Sequence, residues 1–92
     1  QVLETNGMLY NDRHLNFFGY ELMSDQKLDD AIEVFKLNAK LFPGEPNVWD
    51  SLAEAYMNAG KNDLAITNYK KVLELAPNNP NAKKMLEKLG VR

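Results

Sequence analysis

A period of 34 residues governs this chain. Sliding the sequence along itself by that interval lays Met23 on Met57, Lys27 on Lys61, Ile32 on Ile66, Pro43 on Pro77 and Pro46 on Pro80. Self-similarity at such a period marks an open stack of small units, each contacting its neighbours, rather than a closed globule. The period from Pro46 to Pro77 is the clearest. It reads as two short amphipathic helices joined at Ala59-Gly60-Lys61. Trp49, Leu52, Ala53, Tyr56 and Met57 share one face of the first, because steps of three and four follow the helical turn. Leu64, Ala65, Tyr69, Val72, Leu73 and Ala76 do the same for the second, which Pro77 stops.

The period before it has the same plan. Asp12 is placed to cap a helix whose apolar stripe is Leu15, Phe18, Gly19, Leu22 and Met23. A glycine inside a helix costs roughly 1 kcal/mol, so Gly19 is expected where helix backbones come close. Asp25-Gln26-Lys27 is the turn. A second helix follows from about Leu28 to Phe42, with Ala31, Ile32, Phe35, Asn38 and Leu41 inside. After Pro43-Gly44-Glu45-Pro46, Asn47 is expected to cap the next helix, with Asp50 returning the interaction. Beyond Pro77-Asn78-Asn79-Pro80-Asn81, a last helix from about Asn81 to Leu89 turns Ala82, Met85, Leu86 and Leu89 to one side. Its other sides carry Lys83, Lys84, Glu87 and Lys88, as a solvating helix at the end of a stack requires. Gly90 offers a left-handed stop, with Val91 positioned to fold back, as at a natural C-terminus. At the other end, a first residue Gln1 rather than Met suits a piece of a longer protein. Residues 1–11 hold Val2, Leu3, Met8, Leu9 and Tyr10, but Asn6-Gly7 interrupts any single helix. They read either as a linker or as a segment covering the open end of the stack. The expected divisions are 1–11, a first unit 12–45, a second unit 46–79, and the solvating helix 80–92.

Trp49, Leu52, Tyr56, Ala65, Tyr69 and Pro77 fall at the spacings W-x2-L-G-x2-Y…A-x3-F…P, with Ala53 in place of Gly and Tyr69 in place of Phe. The chain resembles a tetratricopeptide repeat protein. That resemblance implies an all-α fold, a right-handed superhelix of antiparallel helical hairpins, here two repeats plus a C-terminal capping helix. It also implies a noncatalytic protein-interaction module whose partner is a peptide or protein surface. In such arrays the first helix of each hairpin lines a concave groove. Carried onto this chain, the groove takes Arg13, Asn16, Tyr20, Met23 and Ser24 from the first hairpin. The second supplies Asn47, Asp50, Ser51, Glu54, Met57 and Asn58, and the last helix Asn81, Lys84 and Lys88. Chaperone-binding members of the family hold a C-terminal carboxylate with Lys, Asn and Arg. Asp50 and Glu54 stand here instead, so a carboxylate-terminated tail is expected not to bind. The competing reading makes this face a merely solvated surface.

A narrower likeness comes from Leu15-Asn16, Gly19-Tyr20, Val34 to Asn38 (VFKLN), Phe42-Pro43 and Asn47 to Tyr56 (NVWDSLAEAY). These strings resemble the short repeat tails of some bacterial serine hydrolases, of the β-lactamase and penicillin-binding type and certain esterases. The resemblance implies a structural or oligomerising appendage, with the catalytic groups in an upstream domain and export possible if that enzyme is secreted.

The rest of the sequence narrows the function by what it lacks. With 45% apolar and 26% charged residues it has the composition of an ordinary soluble globular protein. A net charge of −2 does not argue for nucleic acid or an acidic membrane surface. There is no cysteine, no phosphate-binding glycine loop, and a single imidazole, His14. Asp29-Asp30 reads as a complement to a helix dipole rather than a catalytic pair. No enzyme activity, cofactor, metal or membrane span is expected. Two positions depart from the repeat. Phe17 adjoins Phe18 where the second unit has Ser51. One of the two is expected in the hairpin core. The other, Phe17, is expected to pack on residues 1–11, on a preceding domain, or on a second copy in a homodimer. Asn38 stands where the second unit has Val72, and is expected to bond the first turn around Asn47 to Asp50.

Overall fold

Two short strands, β1 (Leu3–Thr5) and β2 (Met8–Tyr10), precede five helices: α1 (Asp12–Ser24), α2 (Leu28–Leu41), α3 (Pro46–Asn58), α4 (Asn62–Leu75) and α5 (Pro80–Lys88). The computed structural model describes residues 3–5, 8–10 and 12–91. The array is all-α, as the periodicity requires. α1 packs on α2 and α3 on α4, while α2 joins the two hairpins by packing on α3, and α5 closes on α4. The molecule measures 46 × 29 × 16 Å, the flat elongated form of a short stack.

The strands pair antiparallel in the register Leu3↔Tyr10, Glu4↔Leu9 and Thr5↔Met8. No strand was expected there. The signal was nonetheless in the sequence, because Asn-Gly between two short runs favours a two-residue hairpin connection. Whether residues 1–11 cover the end of the array depends on side chains outside the described residues.

Helix boundaries follow local chemistry. Pro46 and Pro80 open α3 and α5, where a fixed φ suits the first helical position and the missing N–H leaves nothing unpaired. This overturns the expected cap at Asn47. With Pro46 starting α3, the capping position falls to Glu45, which makes no side-chain cap bond, and Asn47 lies inside the first turn. α5 does have a side-chain cap, in which Asn79 Oδ1 accepts from the Ala82 N–H at 2.9 Å. Both hairpin turns close alike: the Lys27 N–H reaches Leu22 O and the Lys61 N–H reaches Tyr56 O, each at 2.8 Å. Each turn needs one residue with positive φ, supplied by Gln26 at 65° and Gly60 at 77°. The chain folds back after α5 through Gly90 at 90°, and the Val91 N–H bonds Leu86 O at 2.8 Å.

The core runs continuously between the helices through Ala31, Phe35, Ala53, Tyr56, Ala65, Tyr69, Val72, Ala82 and Leu86. Alanines at the crossings let helices approach, and rings fill the space beside them. Gly19 serves a different purpose from the one expected. A Cβ there would lie 2.4 Å from Cε1 of Phe35, so the glycine makes room for a ring, not for a neighbouring backbone. The same ring meets Tyr20 edge-on, with centroids 5.2 Å apart and planes at 68°.

Two further expectations are corrected. Neither Phe17 nor Phe18 is in the core: they are 66% and 50% exposed. Leu52, the counterpart of Phe18, is 4% exposed because α3 has a preceding hairpin packed on it. Phe18 has no such cover, so the same register position is core in one unit and surface in the other. Asn38, fully buried, does not reach the Asn47–Asp50 turn. Its Nδ2 donates to Asp12 O at 2.9 Å, tying α2 to the start of α1 within one hairpin. Its Oδ1 is buried with no hydrogen-bond partner.

Candidate functional site

The first helices of successive hairpins lie on one side of the stack, and their polar side chains meet across the gaps. The Ser51 hydroxyl donates to Asn16 Oδ1. The Tyr20 hydroxyl donates to Glu54 Oε1 at 2.7 Å. Asn58 Nδ2 lies 3.5 Å from the sulfur of Met23. One step along, Asn81 Nδ2 donates to Asp50 Oδ2 at 2.9 Å, joining α5 to α3. Asn16, Tyr20, Met23, Asp50, Ser51, Glu54, Asn58 and Asn81 are thus drawn into one face. The repeat explains the pairing, since residues about one period apart occupy equivalent turns of neighbouring helices.

The other expected groove residues stand around this ladder. Arg13, Ser24, Asn47, Lys84 and Lys88 are exposed, and Met57 is half-buried against the core. Lys84 follows Asn81 by three residues and so shares its face of α5. Asp50 and Glu54, four apart on α3, form the acidic centre. Each accepts one hydrogen bond from a flanking helix, and a carboxylate has capacity for more.

Tyr69, on the apolar face of α4, lies beneath this centre. It is buried, and its hydroxyl is pushed up to about 12, first by burial and then by the negative charges of Asp50 and Glu54. The sequence signal was the hydroxyl itself, since the repeat pattern has Phe at this position. The Tyr20 hydroxyl is raised as well, by burial above all; the neighbouring Ser51 hydroxyl opposes that rise and Glu54 adds to it. Trp49, half-buried, stays in a packing role. Its Nε1 donates to Pro43 O at 2.9 Å, and Lys71 Nζ lies 5.6 Å from the ring centroid. Among the described residues no cluster of three or more His, Cys, Asp or Glu could hold a metal ion. No described helix is long and apolar enough to cross a membrane.

Residues 46–79, spanning α3, α4 and the loop after them, match the tetratricopeptide repeat family. These residues form a tetratricopeptide repeat. The chain is 34% identical over 64 residues to the chloroplastic tetratricopeptide repeat domain-containing protein PYG7 of Arabidopsis thaliana, covering 70% of this chain and 21% of that one. It is 36% identical over 90 residues to heat shock protein STI1 of Saccharomyces cerevisiae, covering 97% of this chain and 14% of that one. It therefore spans only a minor part of these relatives. Among solved structures, PcrH in complex with the chaperone binding region of PopB superposes with a TM-score of 0.69 at 21% identity. That match covers 88% of this chain and 65% of PcrH. The tetratricopeptide hairpin is thus the repeating unit of the fold, and α1, α3 and α5 occupy the side that its first helices line.

Proposed function

We propose that this chain is a noncatalytic protein-interaction module that receives a peptide or protein surface across α1, α3 and α5. The observation that carries the reading is the Asp50–Glu54 pair, held in place by Asn81 and Tyr20 from the helices on either side. Such a centre offers acceptors to incoming N–H groups and negative charge to incoming cations. It favours ligands bearing Lys or Arg and disfavours those ending in carboxylates. PcrH, whose fold this chain shares, was solved with a bound partner region, which supports the use of such an array for binding.

Fluorescence polarisation with two labelled peptides of equal length tests this. One carries several Lys and Arg residues; the other ends in acidic residues and a free carboxylate. The basic peptide is expected to bind the wild type, and Asp50→Lys with Glu54→Lys to weaken it by about tenfold or more. Equal binding of the acidic peptide, or indifference to both substitutions, would defeat the reading.

The strings VFKLN and NVWDSLAEAY support one narrower reading, in which this module is the tail of a bacterial serine hydrolase. The sequence immediately upstream of Gln1 decides it, because that reading requires a nucleophilic serine with a lysine or histidine partner there.

A further inference from the structure

We propose that the face shared by α1, α3 and α5 is polarised along the array, and takes an extended segment that carries both signs of charge. A cationic residue of the ligand sits on Asp50 and Glu54 of α3, and an anionic residue nearby sits on Lys84 and Lys88 of α5. The inference rests on the reading of this face as a binding site and adds the charge order of its ligand.

One pair of register positions carries the pattern. Sliding the sequence by its period lays Asn16 on Asp50 and then on Lys84, and Tyr20 on Glu54 and then on Lys88. These positions are uncharged on α1, both acidic on α3 and both basic on α5. The two members of each pair are one helical turn apart and so share a face. Hydrogen bonds make that face a common one. Tyr20 reaches Glu54 between α1 and α3, and Asn81, one turn before Lys84, reaches Asp50 between α3 and α5.

The opposite signs do not neutralise each other. Among the described residues neither lysine is ion-paired with Asp50 or Glu54; the ion pairs Glu33–Lys36 and Glu74–Lys71 form within α2 and α4. Asn81 and Tyr20 are uncharged donors, so they position the two carboxylates without cancelling their charge. Solvation of α5 accounts for only part of its surface. Lys83 and Glu87 border the groove beside Leu73 and Val91, and their signs are mixed, as solvation alone allows. Lys84 and Lys88 are exposed and both positive, next to two carboxylates that are both negative.

Packed helices lie about 8–10 Å apart. An extended chain covers that distance in about three residues. A ligand anion about two to four residues from the cation on α3 therefore reaches α5. A wholly basic segment gains on α3 and loses on α5, and a wholly acidic one does the reverse. A segment with both charges gains on both helices, which is how charge complementarity selects among partners.

Fluorescence polarisation with two labelled peptides of equal length, blocked at both ends, tests this. One has a central lysine pair flanked by glycines. The other has a glutamate pair on each side of the lysines, a symmetric order that serves either chain direction. The glutamate-flanked peptide is expected to bind about fivefold tighter or more. Lys84→Glu with Lys88→Glu should abolish that advantage and tighten the glycine-flanked peptide, with the far-UV circular dichroism unchanged. Lys83→Glu makes the same charge change as Lys84→Glu on another side of α5, and should leave the preference intact. If the glycine-flanked peptide binds but the glutamates add nothing, the inference falls and the reading of the face stands. The same holds if Lys83→Glu acts as strongly as Lys84→Glu, since net charge alone would then explain the preference. If neither peptide binds, both fall.

Discussion

Gly19 and Phe35 are set against each other so closely that one residue's absence of a side chain is the other's space. Gly19→Ala gains helix propensity of roughly 1 kcal/mol but drives a methyl into the ring. Overpacking of this kind costs about 1–3 kcal/mol, so a net loss of up to about 2 kcal/mol is expected in urea unfolding. A stabilised variant would mean the ring moves aside freely. Tyr69 gives a prediction of another kind. Its folded value of about 12 lies above the ordinary 10.0, so the unfolded chain gives up that proton first. The stability it contributes is whole below pH 10 and drains away as the pH climbs from about 10 towards 12. Tyr69→Phe should therefore show a shallower fall in Tm over that window, with little change at pH 7. Identical alkaline profiles for the two proteins would refute the assignment.

At the scale of elements, the sequence exposed the helices plainly and their surroundings poorly. Spacings of three and four located α1 to α5, and the prolines located the breaks, because both signals act within a few residues. Phe18 shows where that logic stops. Its register position belongs to the core only when another hairpin lies in front, and periodicity carries no information about what is in front. Asn38 is similar: its burial was legible, but its partner Asp12 depends on how α2 lies along α1. In the candidate site, the family resemblance put Asp50 and Glu54 on the face that the first helices share. That Tyr20 and Asn81 would hold them could not be read, since those bonds cross between helices. The cap on α5 is a sharper test of one element. Removing the Asn79 side chain by Asn79→Ala leaves the Ala82 N–H without its acceptor and should cost about 1 kcal/mol. Because α5 contacts only α4 among the principal helix pairings, the loss should show first as faster amide exchange in residues 80–91. Uniform exchange across all five helices would indicate instead that α5 opens only with the whole array.

For the whole molecule, the bonds Asn16–Ser51, Tyr20–Glu54 and Asp50–Asn81 tie the side shared by α1, α3 and α5 to the stacking of the hairpins. A ligand that engages Glu54 or Asp50 competes with, or extends, contacts that also set the angle between repeats. Binding and repeat geometry are then one equilibrium.

The fold-back at Gly90 and Val91 has a consequence for anyone who would lengthen this protein. It has the same form as the turns after α1 and α3, with one residue at positive φ followed by an N–H that reaches back five residues, and each of those turns leads into the second helix of a hairpin. The junctions before α3 and α5 share the Pro-Asn pair, Pro46-Asn47 and Pro80-Asn81, so a duplicate of residues 46–79 inserted after residue 79 should meet familiar neighbours on both sides. Such a three-hairpin protein is expected to fold with a higher Tm, as added nearest-neighbour contacts stabilise repeat arrays.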